Sequence, residues 1–281
     1  MIAHLNIAEG GTLKLMNMYH RLTVIVTVAF LSCIPIVCSD TVVSDLLEQA
    51  EQGDAEAQSN LGLAYAIGEE VEQDYEKAVE WYTLAAVQGH VEAQNSLGFC
   101  YLSGLGVEQN YEKAIEWFTL AAEQGEVRAQ ANLGWAYLSG EGVVQDYEKA
   151  VEWFTKAAGQ GDAYGQSYLG WHYLSGQGVD QDFEKAVEWL TIAAEQGEIG
   201  AQFNLGLCYY HGYGVKQDYQ KAVEWYTLAA VQGHAEAQNN LGHCYANGHG
   251  VEQDYEKAVE WFTKAAEQGS DEAQINLSQY S

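Results

Sequence analysis

Eight histidines, five cysteines and 40 acidic residues give this 281-residue chain the raw material for metal, thiol and acid–base chemistry, yet their spacing supports none of these. There is no HExxH pair to hold zinc on one helix face, no paired CxxC, no GxSxG elbow, no SxxK and no phosphate-binding loop. His172, His211 and loop His249 lack a carboxylate partner at ligand spacing, and the histidines read as scattered solvated residues. The carboxylates recur in DYEK segments and read as solvated helix faces. Cys100, Cys208 and Cys244 share one register of a repeat, where neighbouring copies lie roughly 10 Å apart, beyond the about 7 Å that a disulfide spans. They are expected to be free, buried thiols. Asn276-Leu277-Ser278 matches a glycosylation acceptor but falls in an expected capping helix. No catalytic residue, cofactor or metal is expected.

Residues that do no chemistry carry the pattern. Trp81, Trp117, Trp153, Trp189, Trp225 and Trp261 fall 36 residues apart, so the chain is one short unit copied six times, at 54–89, 90–125, 126–161, 162–197, 198–233 and 234–269. Such a unit buries its apolar face only by stacking on its neighbours. Positions 2 to 14 of each unit predict a helix A and positions 21 to 34 a helix B. In helix A, the self-similar positions 4, 5, 8, 9 and 12 lie in one arc and the divergent positions 3, 6, 7, 10, 13 and 14 in the opposite one. Helix A ends at a glycine such as Gly68 or Gly176. Helix B follows an Asp or Asn cap: Asp74, Asn110, Asp146, Asp182, Asp218 and Asp254. Position 9 is glycine in every unit, which requires close approach by a neighbouring helix or by the indole at position 28. The six spaced tryptophans are expected to be buried structural residues.

The ends read differently. Residues 1–39 carry basic residues and then an apolar run from Leu22 to Val37, ending in Val-Cys-Ser, which predicts a signal peptide cleaved after Ser39, with a start at Met16 or Met18 and an upstream extension. The alternatives are a transmembrane anchor, for which the run of about 16 residues is short against the roughly 20 a span prefers, and a lipid anchor through Cys33. Residues 40–53 and 270–281 resemble half units and predict end caps. The mature chain would hold 39 acidic against 10 basic residues, a net charge near −29. Such a field opposes phosphate backbones, excludes nucleic acid as a partner and favours a basic or neutral one.

The segments AEAQSNLG and GLGVEQNYEKAIEWFTLAAEQG, with their copies, resemble the Sel-like repeat family, short relatives of the tetratricopeptide repeats. Unit one departs from the family in carrying Glu70 in place of the second loop glycine. The resemblance implies an all-α fold, a right-handed α/α solenoid of six 36-residue helix-turn-helix repeats with half-repeat caps. It also implies a non-catalytic scaffold or adaptor that holds a protein or peptide in its concave groove. The divergent face of helix A would line that groove, where Trp135, Leu138, Tyr164, Trp171, Leu174, Phe203, Leu207 and Tyr210 form an apolar cluster between polar outer units. The alternative to binding is packing of these side chains against adjacent A helices. The expected protein is exported, periplasmic or secreted, monomeric and not membrane-inserted after cleavage. The rival functions are a cell-wall or β-lactam-directed hydrolase, as linked to cysteine-rich secreted relatives with a cysteine pair per unit, and a luminal adaptor of a secretory compartment.

Overall fold

The computed structural model describes residues 40–280. The expected signal segment, the alternative starts at Met16 and Met18, and Cys33 lie outside the described residues. Among the described residues every regular element is a helix: α1 (Asp40–Glu51), α2 (Ala55–Ile67), α3 (Tyr75–Val87), α4 (Val91–Ser103), α5 (Tyr111–Glu123), α6 (Val127–Ser139), α7 (Tyr147–Gly159), α8 (Ala163–Ser175), α9 (Phe183–Glu195), α10 (Ile199–His211), α11 (Tyr219–Val231), α12 (Ala235–Asn247), α13 (Tyr255–Glu267) and α14 (Asp271–Leu277). The even-numbered helices α2 to α12 are the A helices of the six repeats and the odd-numbered α3 to α13 their B helices. The chain forms two compact units, one up to Ala93 with 105–107, the other 94–104 with 108 onward.

The helix ends follow from side-chain chemistry. Asp74 precedes α3 in an extended conformation, and its carboxylate accepts the amide of Lys77 at 3.0 Å, satisfying one of the donors a helix start leaves open. The same bond recurs in every B helix, with Asn110 serving for α5. Helix A stops where Gly176 turns left-handed at φ 74° and donates its amide to the His172 carbonyl.

Within a repeat, helices A and B meet at the position-9 glycine. A Cβ on Gly134 would lie 2.7 Å from the Phe154 ring, on Gly170 2.7 Å from Leu190 Cγ, and on Gly206 2.5 Å from the Tyr226 ring. Close approach is therefore as expected, but its partner is the residue at position 29 and not the indole at position 28. Phe118, Phe154, Leu190, Tyr226 and Phe262 are almost fully buried, whereas all six spaced tryptophans are only half-buried. Trp225 and Trp261 sit instead at the seams with the repeats that precede them. Trp225 packs on the cluster made by Ala186, Leu190, Ala193 and Ala194 of α9 with Ala201, Leu205 and Cys208 of α10. In repeats three and six a lysine covers the ring: Lys156 Nζ lies 3.7 Å from the Trp153 centroid and Lys264 Nζ 4.1 Å from that of Trp261.

A buried glutamine holds the seams within each compact unit in register. Gln130 donates its amide to the Ala122 carbonyl of the preceding B helix at 3.2 Å, and its side-chain oxygen accepts from Gln160, at the end of its own repeat, at 2.9 Å. Gln58, Gln202 and Gln238 repeat both bonds. The second loop glycine makes the remaining contact. A Cβ on Gly178 would fall 2.3 Å from the Tyr147 carbonyl oxygen, at the start of the preceding helix B, and Gly106, Gly214 and Gly250 meet their predecessors equally closely. Glu70 keeps the loop geometry of those glycines, at φ 62°.

Phe154→Ala should therefore lower the unfolding free energy by about 3–5 kcal/mol, and Trp153→Ala by clearly less, in guanidinium titrations followed by helical circular dichroism. Gly206→Ala should cost about 1–3 kcal/mol through overlap with the Tyr226 ring. Equal losses for Phe154→Ala and Trp153→Ala would contradict the assignment of the core ring.

Candidate functional site

The divergent face of the A helices can be followed through α6, α8 and α10, which touch in succession within the second unit. The eight residues singled out there separate into two groups. Trp135, Leu138, Leu174 and Phe203 are buried, with Trp135 5% exposed. Tyr164, Trp171, Leu207 and Tyr210 are half-buried and keep an accessible edge.

Their ring contacts explain the division. Trp135 on α6 lies 5.7 Å from Tyr168 on α8, so it fills the space between successive A helices. Phe203 stacks on His234 at 4.5 Å, at the start of the next A helix. Trp171 instead meets only its chain neighbour His172 edge-on at 4.9 Å among the ring contacts of α8. Tyr210 reaches toward repeat six, where its hydroxyl bonds His249 Nδ1 at 2.9 Å, and Tyr219 stacks on the same imidazole at 4.7 Å.

The fourth repeat departs most from its siblings. Gly165 stands where other repeats have alanine, and a Cβ there would lie 2.8 Å from Ala157 Cβ, so the first turn of α8 rests more tightly on α7. Tyr168 replaces the usual Asn or Ser, is buried, and stacks on Phe154 at 4.7 Å. His172, at the register of the cysteines, is fully buried beside the same phenyl ring at 5.8 Å. Among the buried polar atoms of α8, Tyr168 Oη and His172 Nε2 have no hydrogen-bond partner. Neither residue stood out in the sequence as functional. The available signal was departure from the repeat at positions 7 and 11.

Burial sets the electrostatics. His172 is held neutral, its pKa lowered to about 4 by desolvation, against a bond from Nδ1 to the Gln177 carbonyl at 2.7 Å. His234 is lowered to about 4 for the same reason, and its Nδ1 accepts the Ala237 amide as the cap of α12. These two histidines are not the solvated residues their scatter suggested. Burial also raises the carboxyls of Asp162 and Glu198, the caps of α8 and α10, with each increased further by a neighbouring cap, Glu126 beside Asp162 and Asp162 beside Glu198. Backbone amides at Gly165, Gly200 and Ala201 oppose the shift. Cys100, Cys208 and Cys244 are free and buried, with thiols pushed up to about 12. Such thiols are poor nucleophiles. Asn276 of the acceptor-like tripeptide is buried and donates to Asn239 Oδ1 at 2.9 Å. Among the described residues no group of His, Cys, Asp or Glu is arranged to hold a metal, and no helix is long and apolar enough to cross a membrane.

Comparison with known proteins adds an independent finding. The Sel1 repeat model matches residues 55–90, 91–126, 127–162, 163–198, 199–234 and 235–270. Among solved structures, the chain is similar to a Sel1 repeat protein from Oxalobacter formigenes, at 34% identity over 76% of this chain and 86% of that one, with a TM-score of 0.71. It is also similar to a protective antigen present in uropathogenic Escherichia coli strains displaying an SLR fold, at 38% identity over 84% of this chain, with a TM-score of 0.64. The chain spans 58% of the length of that antigen. No curated protein sequence matches.

The depressed pKa of His172 links stability to pH with a definite sign. The unfolded chain takes up a proton as pH falls below 6.5 while the native state refuses it until about 4, so stability is lost across that window. His172→Ala, which restores the residue of repeats one and three, should remove about 3 kcal/mol of that loss. The raised carboxyls act in the opposite sense and are common to both proteins. Denaturant melts between pH 7 and 4 measure the difference, and parallel curves would show that His172 titrates normally.

Proposed function

The chain belongs to the Sel1 repeat family, and from that premise we propose that it is an exported, non-catalytic scaffold that takes a peptide or protein segment on the A-helix face of repeats three to five. The supporting observation is the row of half-buried Tyr164, Trp171, Leu207 and Tyr210 on consecutive A helices, beside buried Trp135, Leu138, Leu174 and Phe203 that stiffen the surface beneath them. Accessible aromatic edges above a rigid floor suit apolar anchors of a ligand. The surplus of acids adds long-range attraction for a basic segment and repels nucleic acid. The partner is thus a segment with apolar anchors and basic residues, bound by a monomer. Free, buried and unreactive cysteines give no support to hydrolase chemistry of the kind linked to cysteine-paired relatives.

Export places the scaffold in the periplasm or outside the cell, with the mature chain beginning at Asp40. Intact mass of the protein recovered from those fractions checks this directly, and a chain retaining Leu22 to Val37 in the cytoplasm would contradict it.

With a partner obtained by pulldown, raising salt from 0.05 to 0.5 M should mainly slow association. Trp171→Ala with Tyr210→Ala should mainly speed dissociation, by about tenfold or more. Both effects are read by surface plasmon resonance on variants whose circular dichroism melts match the parent. Unchanged dissociation from the folded double variant would remove this face as the binding surface.

A further inference from the structure

The opposite side of the array carries a second apolar feature, which packing within the chain leaves uncovered. At position 31 of the B helices, Ile192 of α9 and Leu228 of α11 are 44% and 45% exposed, and Val231, one turn beyond Leu228, is 65% exposed. Residues three apart on a helix are neighbours, so Ile192 stands beside Trp189 and Leu228 beside Trp225. Trp225 packs into the seam on Ala193 and Ala194, the residues that follow Ile192 in α9. Ile192 with Trp189, and Leu228 with Trp225, therefore form apolar patches on the outer faces of α9 and α11.

The same register is treated differently in repeats three and six. There position 31 is Lys156 or Lys264, and each ammonium lies over the tryptophan of its own helix. Position 31 thus tolerates a charged residue without loss of the fold, and packing does not require Ile192 or Leu228 to be apolar. Leu84 and Leu120, in repeats one and two, are exposed to the same degree as their counterparts, so the alternation of two open repeats and one covered repeat occurs twice.

We propose that the outer face of α9 and α11, centred on Ile192, Trp225 and Leu228, docks a basic amphipathic helix of a partner protein. Charge favours this occupant of the patches at Ile192 and Leu228. Glu188 and Glu224 are exposed one turn before them, where lysines or arginines flanking the apolar stripe would pair. An anionic membrane surface is opposed by the same glutamates and by the net negative charge.

The probe is a synthetic 18-residue leucine–lysine peptide with a helical apolar stripe, compared by calorimetry at 0.3 M salt with a scrambled peptide of identical composition. The expected result is at least tenfold tighter binding of the striped peptide. Ile192→Gln with Leu228→Gln, which leaves net charge unchanged, should abolish that preference with no change in melting temperature. Trp171→Ala with Tyr210→Ala, on the other face, should leave it intact. Lys156→Leu should bind the striped peptide more tightly than Lys156→Gln does. Equal binding of striped and scrambled peptides overturns the proposal, as does a preference that survives the double glutamine variant. Sedimentation with phosphatidylcholine–phosphatidylglycerol vesicles that depends on Ile192 and Leu228 would also overturn it, in favour of a lipid surface.

Discussion

A buried primary amide sets the register of the repeats within each compact unit. The glutamine at position 5 is about 95% buried in every repeat, as for Gln130 and Gln202, and an amide in that setting must find both a donor and an acceptor. It bonds backward to an alanine carbonyl in the preceding B helix and along its own repeat to the glutamine at position 35. Hydrophobic contact alone would allow helices to slide or rotate by a residue. The paired amides do not, because a one-residue slip would strand two polar groups away from water. With the register fixed, the glycine at position 9 faces the ring at position 29 and the indole at position 28 falls on the seam.

The solenoid was legible because its signals are periodic and local. The 36-residue spacing, the Asp or Asn caps and the terminal glycines each have a physical meaning that survives without coordinates, and helices such as Tyr75–Val87 and Ala163–Ser175 begin and end where those signals stand. Side-chain partners were harder to read. The tryptophan is invariant across the six repeats and the next residue varies among Tyr, Phe and Leu, so sameness pointed to the indole as the core residue. Two adjacent helical residues differ by 100° in direction, and the glycine faces the variable one. A pocket under a glycine accepts several flat or branched side chains, whereas a seam between unlike helices is filled in the same way each time only by the same large ring.

The two faces of the array follow from the same division. On the A-helix face, the sequence identified an apolar cluster but could not separate the residues that pack between helices from those that keep an edge in solvent. That depends on neighbours one repeat away: Trp135 is covered because Tyr168 stands beside it, and Phe203 because His234 caps the next helix. The burial of His172 was hidden for the same reason, since its register is otherwise filled by alanine or cysteine. On the B-helix face the tryptophan serves the seam with one edge and leaves the other to whatever position 31 supplies, a lysine in two repeats and an aliphatic residue in four.

The loop glycines give the array a direction. From the second repeat onward the residue at position 17 lies against the backbone that opens the preceding helix B, with room for a hydrogen atom and nothing larger. Glu70 occupies that position in the first repeat, so this repeat can head a stack but cannot be inserted within one. Duplications that lengthen such a chain must copy downstream units, or else mutate the copy back to glycine at that residue. The first repeat is in this sense a start block, recognisable in any descendant of the array by a side chain where its siblings have none.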